Sequence, residues 1–468
     1  MIELFLLLFP LLSGAAIYLS KKNLTLIRSL LILTAVVQNA GVFLLSLQPE
    51  WNIPLFPEYL GVDRLSLIVL GIMSFLFLCA AVHAFFWIPA EHALEPYHMP
   101  FHLFCGILCS FVFTMTLVTM ARNYGLLWVA IEATTLASAP LINFHRSGGS
   151  TEAMWKYLLI CSVGIGLALF GTFLLAFAAK TATGEPAGLN FSAFGRDVMI
   201  NPDYFKVAFI FCFAGYGLKM GLAPFHTWLP DAHSEAPSMV SVMLSGTLLN
   251  CSFLGMIRVH SAAPAALDPF CREYFVIFGI LSLIIAAFFI IKQSDYKRML
   301  AYSSVEHMGL LAVMWGLSMG NITFLHMTFH SLCKMMLFLT AGNILIAYGT
   351  RNVKQIHGMF SRLKWNAPLW LIGILLICGM PPSPLFLTEL FLIKQAGFLL
   401  GGLILLLLFM VFCGMTYNAL QMTMGIDVSP DHREGDSAAE KLACVPVLII
   451  VLLTVTGLYM IFSGKFQI

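Results

Sequence analysis

The sequence predicts an all-α polytopic membrane protein, and three observations carry that prediction: its apolar content, its scarcity of charge and the form of its apolar runs. Of 468 residues, 60% are hydrophobic and 10% are charged. A soluble chain carries about 25% charged and 45–50% apolar residues. One bilayer crossing takes about 20 mostly apolar residues, so about 281 apolar residues suffice for roughly fourteen crossings. A soluble fold of this length lacks the polar residues to cover that much apolar surface. The runs lie at about 2–20, 24–47, 61–89, 99–121, 123–144, 155–180, 203–223, 237–260, 270–292, 300–318, 321–348, 366–397, 399–424 and 441–463. They are long, rich in Leu, Phe, Ile and Met, and lack the alternation of a barrel strand, so they read as about 14 transmembrane helices.

The start of the chain, Met1-Ile2-Glu3-Leu4, has no positive n-region, and no Ala-x-Ala site follows the first run. With Lys21 and Lys22 placed after it, the first helix is expected to be retained as a span. Orientation follows from loop Lys and Arg residues. Loops after odd-numbered runs hold fourteen, among them Lys21, Lys22, Lys297, Arg298, Arg351 and Arg433, and loops after even-numbered runs hold seven, among them Arg64, Lys180, Arg196 and Arg258. The odd loops are therefore expected in the cytoplasm and both termini outside. The polar insertions 181–202 and 427–441 are too short for independent domains, so residues 1–468 are expected to form one membrane domain.

A net charge of +2 leaves no basic footprint for nucleic acid. The eleven cysteines lie singly in apolar runs, as at Cys79, Cys161, Cys212 and Cys378. The nearest pair, Cys105 and Cys109, is one helical turn apart. Without a Cys-x-x-Cys, no zinc, iron–sulfur or other metal site is expected in this chain, and the cysteines read as small packing residues.

Ionisable residues inside the spans are the informative ones, because a charge in the bilayer is costly and commonly marks an ion or proton path. Glu132 lies mid-span in Ile131-Glu132-Ala133, Lys219 in Gly217-Leu218-Lys219-Met220, Lys334 in the eleventh run and Glu389 in the twelfth. A tilted helix or a snorkelling lysine accounts for one such residue, but hardly for four. His326, His330 and Lys334 repeat at i, i+4 and i+8, one polar stripe on a helix. Such a stripe resembles a proton relay, although either histidine alone is equally a satisfied core residue. Burial disfavours a lysine's charged form and a nearby carboxylate favours it, so a Glu132–Lys219 pair can load and unload a proton. Glu306 and Lys394 fall near predicted span ends.

Proline breaks two of these spans. Pro224 follows Lys219, and Pro381-Pro382-Ser383-Pro384 precedes Glu389. The carbonyls freed by proline are tolerated in a bilayer mainly where protein or a watered cavity covers them. Broken seventh and twelfth helices, five spans apart, suggest two inverted five-helix repeats, 99–260 and 270–424, after three N-terminal helices in 1–98 and before a last helix at 441–463. Simple proline kinks are the plainer alternative.

The stretch Lys219-Met220-Gly221-Leu222-Ala223-Pro224-Phe225-His226-Thr227-Trp228-Leu229-Pro230-Asp231-Ala232-His233-Ser234-Glu235-Ala236-Pro237-Ser238 closely resembles the signature of the antiporter-like, proton-translocating membrane subunits of respiratory complex I. That family includes Mrp-type sodium/proton antiporters and group 4 membrane-bound [NiFe]-hydrogenases. The resemblance covers roughly residues 100–425. Arg298-Met299-Leu300-Ala301-Tyr302-Ser303-Ser304-Val305-Glu306-His307-Met308-Gly309 and Leu244-Ser245-Gly246-Thr247-Leu248-Leu249-Asn250-Cys251 look closest to the hydrogenase-4 component F branch, of the formate hydrogenlyase type.

The resemblance implies roles. Glu132 matches the glutamate that modulates a lysine partner, Lys219 the lysine of the input half-channel, His326, His330 and Lys334 the eleventh-span link, and Glu389 the output residue. Asn250 stands where complex I relatives usually carry a lysine. Asn cannot titrate, so a relay through the eighth span would need water or a neighbouring histidine. That departure also keeps open a relative whose pump has decayed. Glu306 and His307 mark the branch motif. His226, Asp231 and His233 frame either a proton uptake route or a helix-packing network. With the sequence ending soon after its last run, the lateral helical arm of the longest relatives is not expected here.

The function so implied is a non-redox, proton-translocating (or sodium-translocating) membrane-arm subunit in a prokaryotic cytoplasmic membrane. It would be coupled to electron transfer in a partner peripheral arm, with other membrane-arm subunits beside it. The chain shows no flavin, nickel or iron–sulfur ligand pattern, so [NiFe] and iron–sulfur clusters are expected in partner subunits. Any enzymatic activity belongs to the oxidoreductase complex as a whole. The alternative is an Mrp-type Na⁺/H⁺ antiporter subunit working without a redox partner.

Overall fold

A computed structural model of the chain describes residues 2–21, 23–47, 56, 58–94, 99–180, 188–194, 199–425 and 434–462. Met1, Lys22, Arg196, Arg433 and about half of the two polar insertions, all used above, lie outside the described residues. In chain order the helices are α1 (Ile2–Leu19), α2 (Leu24–Ser46), α3 (Arg64–Leu94), α4 (Phe101–Met120), α5 (Tyr124–Ile142), α6 (Gly148–Ala178), α7 (Pro202–Met220), α8 (Trp228–Glu235), α9 (Ser238–Met243), α10 (Leu249–Ser261), α11 (Asp268–Ile291), α12 (Tyr296–Gly316), α13 (Gly320–Tyr348), α14 (Met359–Arg362), α15 (Asn366–Ile377), α16 (Pro384–Thr423), α17 (Glu434–Lys441) and α18 (Cys444–Phe462). The strands among the described residues are β1 (Ala179–Lys180) and β2 (Met199–Ile200), paired antiparallel with Ala179 opposite Ile200.

Local chemistry sets the helix starts. The Asn123 side chain accepts from the amides of Gly125 and Leu126 at the head of α5. Asn201 does the same for α7, and Asp295 caps α12 through the amides of Lys297 and Arg298. Each cap satisfies backbone donors that a helix leaves unpaired at its first turn. Gly221, at φ +84°, stops α7 one residue after Met220, in a left-handed conformation that suits glycine.

Eleven of the described helices are long and apolar enough to cross a membrane, fewer than the fourteen runs read from the sequence. The physical reasons are specific. The helix α7 carries Asp203, Lys206 and Lys219, and α12 carries Ser303, Ser304, Glu306 and His307, so both are polar for a span. The twelfth run, read as 366–397, is cut into α15 and the start of α16. The join of the twelfth and thirteenth runs falls inside the 40-residue α16, where Gly397 breaks the helical path at φ 75° and ψ 179°. The eighth run also departs from a plain helix: a π-helical turn, Leu244–Leu248, separates α9 from α10. Turns of this kind often sit at functional sites.

The chain forms two compact units. The first comprises Met1–Ala81, Tyr97–Trp228 and Thr247–Tyr274, and in it α6 lies along α7, with α4, α5 and α10 beside them. Its end carries an ion pair, Arg258–Asp63 at 2.6 Å, and the Tyr124 hydroxyl donates to the Arg258 carbonyl at 2.9 Å. The second unit comprises Val82–Pro96, Leu229–Gly246 and Phe275–Ile468. It is organised around α13, against which α9, α12, α15, α16, α17 and α18 pack. The most apolar stretch of α13 is 83% buried, against 33% for α16. The polar stripe of α13 therefore meets protein rather than lipid, where such groups are tolerated.

Candidate functional site

In the first unit, Lys219 occupies the last turn of α7 and is fully buried. Its ammonium donates to Thr135 Oγ1 at 2.9 Å and to the Tyr157 hydroxyl at 2.5 Å. It lies 4.4 Å from the centroid of the Tyr157 ring and 5.9 Å from that of Trp228, close enough for attraction to the ring faces. Trp228 is pinned in turn by its indole N–H, which donates to the Leu218 carbonyl at 3.0 Å. Thr135 Oγ1 donates to Glu132 Oε2 at 3.3 Å, and Ser162 donates to Glu132 Oε1 at 2.8 Å. Glu132 and Lys219 thus meet through the Thr135 hydroxyl rather than as a direct ion pair. That hydroxyl accepts from the ammonium and donates to the carboxylate, a one-residue hydrogen-bonded bridge.

The second unit gathers the other candidates. Lys334, fully buried on α13, donates to the Leu300 carbonyl at 2.6 Å and to the Ser303 hydroxyl. Glu306, one turn along α12, is buried within electrostatic reach of Lys334 and of Glu389. The helix α12 also brings His307 to His326, with Nδ1 and Nε2 3.0 Å apart. The other nitrogen of His307 meets the Ile377 carbonyl at 3.1 Å, and His326 Nδ1 meets Thr388 Oγ1 at 2.8 Å. The His330 ring lies 4.9 Å from that of His307. Glu389 is buried on α16. Its carboxylate packs on Gly379 (φ +68°), where a Cβ would collide with it. His307, His326 and Glu389 each bring one donor atom within 4.8 Å of the others. The facing imidazole nitrogens of His307 and His326 bond each other, and the Glu389 carboxylate stands beside the pair.

The remaining candidates divide. His233 is buried and stacked on Phe338, with ring centroids 4.8 Å apart. Around it the signature stretch is tied down: Asp231 pairs with Arg298 at 2.9 Å and Glu235 with Arg351 at 2.8 Å. Ser234 donates to Asp295 at 2.6 Å, and Lys297 to the Ala236 carbonyl at 2.6 Å. These bonds have the character of a helix-packing network. His226 is buried in the connection between α7 and α8, and Asn250 in α10 just after the π turn. Lys394 is exposed on α16 and does not join the cluster. Sequence reading missed Thr135, Tyr157, Ser303 and Thr388, the hydroxyl partners of the charged groups. Their one available signal was Thr135 at i+3 from Glu132.

Two buried lysines, each with hydroxyl partners and a carboxylate in reach, inside a multi-pass helical chain, define an antiporter-like membrane subunit. The chain belongs to the NADH:quinone oxidoreductase/Mrp antiporter transmembrane family, which residues 121–416 match. That match spans every principal candidate from Glu132 to Glu389. The chain is 32% identical over 419 residues to the hydrogenase-4 component F homolog of Methylacidiphilum infernorum, covering 85% of each chain. It is 26% identical to the NADH-quinone oxidoreductase subunit L of Campylobacter jejuni, over 92% of this chain and 71% of that one. Its fold matches a chain of an archaeal membrane-bound sulfane sulfur reductase at a TM-score of 0.86, with 20% identity and coverage of 99% and 96%.

Proposed function

We propose that this chain moves protons across a prokaryotic cytoplasmic membrane as the non-redox membrane-arm subunit of an energy-converting respiratory complex. Electron transfer in partner subunits, which would hold the [NiFe] and iron–sulfur centres, supplies the energy. Lys219 is the proton-loading group of the first unit and Glu132, acting through Thr135, its modulator. His326, His330, Lys334 and Glu389 carry the proton in the second, with Glu306 and His307 beside them. His226, His233 and Asn250 take secondary places. Residues 99–260 and 270–424 act as inverted repeats, and both termini face outward, as the loop charges favour.

The observation that carries this reading is the Lys219–Thr135–Glu132 chain. A buried ammonium joined to a carboxylate through one hydroxyl can give up its proton when the carboxylate is neutralised and regain it when the carboxylate is charged. The likeness to a hydrogenase-4 component F homolog supports coupling to a redox partner.

The test is purification of this chain from native membranes with its partners, followed by metal analysis and transport in vesicles. The expected result is co-purifying nickel and iron–sulfur subunits, with proton movement that needs an electron donor. Co-purification of small membrane subunits alone, with Na⁺/H⁺ exchange driven by an imposed gradient, would overturn it in favour of an Mrp-type antiporter.

A further inference from the structure

The hydrogens around His326 admit two arrangements. A carbonyl can only accept, so His307 must hold its hydrogen on Nε2, facing Ile377 O at 3.1 Å. Neutral His307 then presents a bare lone pair on Nδ1, 3.0 Å from His326 Nε2, and that contact needs a hydrogen from His326. Neutral His326 has one hydrogen. Spending it on His307 leaves Nδ1 bare, 2.8 Å from Thr388 Oγ1, and so in need of the Thr388 hydroxyl hydrogen. Yet the same hydroxyl is also aimed at the Leu385 carbonyl, at 2.8 Å. Thr388 has one hydrogen and two acceptors at equal distance.

We infer that Thr388 is a two-position hydroxyl switch that sets whether His326 is neutral or carries a proton. This rests on the reading of the α13 stripe as a proton path. In the first position Thr388 donates to His326 Nδ1, His326 Nε2–H donates to His307 Nδ1, and His307 Nε2–H donates to Ile377 O: a neutral, fully bonded chain. In the second position the hydroxyl turns to Leu385 O, and His326 has gained one proton. His326 Nδ1–H now donates to the Thr388 oxygen, while Nε2–H still donates to His307. Taking up one proton therefore requires one hydroxyl rotation and breaks no other bond in the chain. The titratable groups around this pair are Glu306 and His307 on α12, His330, Cys333 and Lys334 on α13, Cys378 after α15 and Glu389 on α16. Of these, the carboxylate of Glu389 has a donor atom within 4.8 Å of both imidazoles, the counter-charge that the protonated state calls for. Thr388, adjacent in sequence to Glu389, acts on the proton path as a positioning residue.

The test compares Thr388→Val with Thr388→Ser in the assembled complex, reading donor-driven proton movement in vesicles, donor oxidation with an artificial acceptor, and the solvent deuterium effect on pumping. Thr388→Val, which keeps the shape and removes the hydroxyl, is expected to slow pumping about tenfold and to raise the isotope effect, with assembly and donor oxidation retained. Thr388→Ser is expected to restore both pumping and the isotope effect. Pumping unchanged in Thr388→Val, or lowered equally in both variants, overturns the switch. If Thr388→Val does not assemble, Thr388→Ala is read in its place. Lys334→Ala separates the two claims. If it pumps normally, the proton path through α13 falls and the switch with it. If it abolishes pumping while Thr388→Val pumps normally, the switch alone falls.

Discussion

At the scale of residues, the two lysines meet one problem with different partners. Lys219 spends its hydrogens on the hydroxyls of Thr135 and Tyr157, while Lys334 spends them on a backbone carbonyl and Ser303. Their charges are thus solvated by neutral groups, and the carboxylates Glu132 and Glu306 act at one remove. Outside the spans, Asp63 shows the opposite design. Burial alone would raise its carboxyl, but the direct pair with Arg258 and the bonds from Ser66 hold it below the ordinary 3.8. A depressed carboxyl contributes stability above its unfolded pKa and loses it as pH falls through the folded value. Asp63→Asn is therefore expected to lower the thermal midpoint of the detergent-solubilised protein at pH 7. The difference should narrow below pH 3.8 and close once Asp63 is protonated. Because the Asp63 side chain is 48% exposed, the loss should be about 1 kcal/mol or less; thermal unfolding at several pH values checks it. The charged members of the site were legible in the sequence because a charge in an apolar run has no routine explanation. Thr135, Tyr157, Ser303 and Thr388 were not, because hydroxyls are ordinary in membrane helices and acquire meaning only through what they face.

At the scale of elements, the breaks create the site. Pro224 and the run from Pro381 to Pro384 marked both breaks in the sequence; α7 and α15 end at Met220 and Ile377, each four residues before the first of these prolines. What proline could not reveal is the role of Gly379. Its φ of +68° turns the chain between α15 and α16, and its missing side chain leaves room for the Glu389 carboxylate. Gly379→Ala carries a left-handed penalty of about 1–2 kcal/mol and also pushes Glu389 aside. It is expected to reduce donor-driven pumping severalfold, whereas Gly402→Ala, with open space at its Cβ, should pump normally. Parallel vesicle assays of the two variants check this. The π turn Leu244–Leu248 had no signature in the sequence, since Leu-Ser-Gly-Thr-Leu fits a plain helix equally well.

At the scale of the whole molecule, the polytopic helical class was legible from composition, and the family from one twenty-residue signature. The span count was less so, and for a reason that bears on function. Two of the three elements missing from the eleven apolar spans, α7 and α12, carry Lys219, Glu306 and His307; the third, α15, is apolar but short. A span that must hold titratable groups gives up hydropathy, and the stretches that carry them, the last turns of α7 and most of α12, are buried against protein.

The central claim is that Lys219 loads a proton that this subunit moves. The most direct measurement is Lys219→Ala in the assembled complex, with proton pumping in vesicles and dye-linked electron transfer recorded on the same preparation. Loss of pumping with electron transfer partly retained is the predicted result; pumping at the parental rate would contradict it.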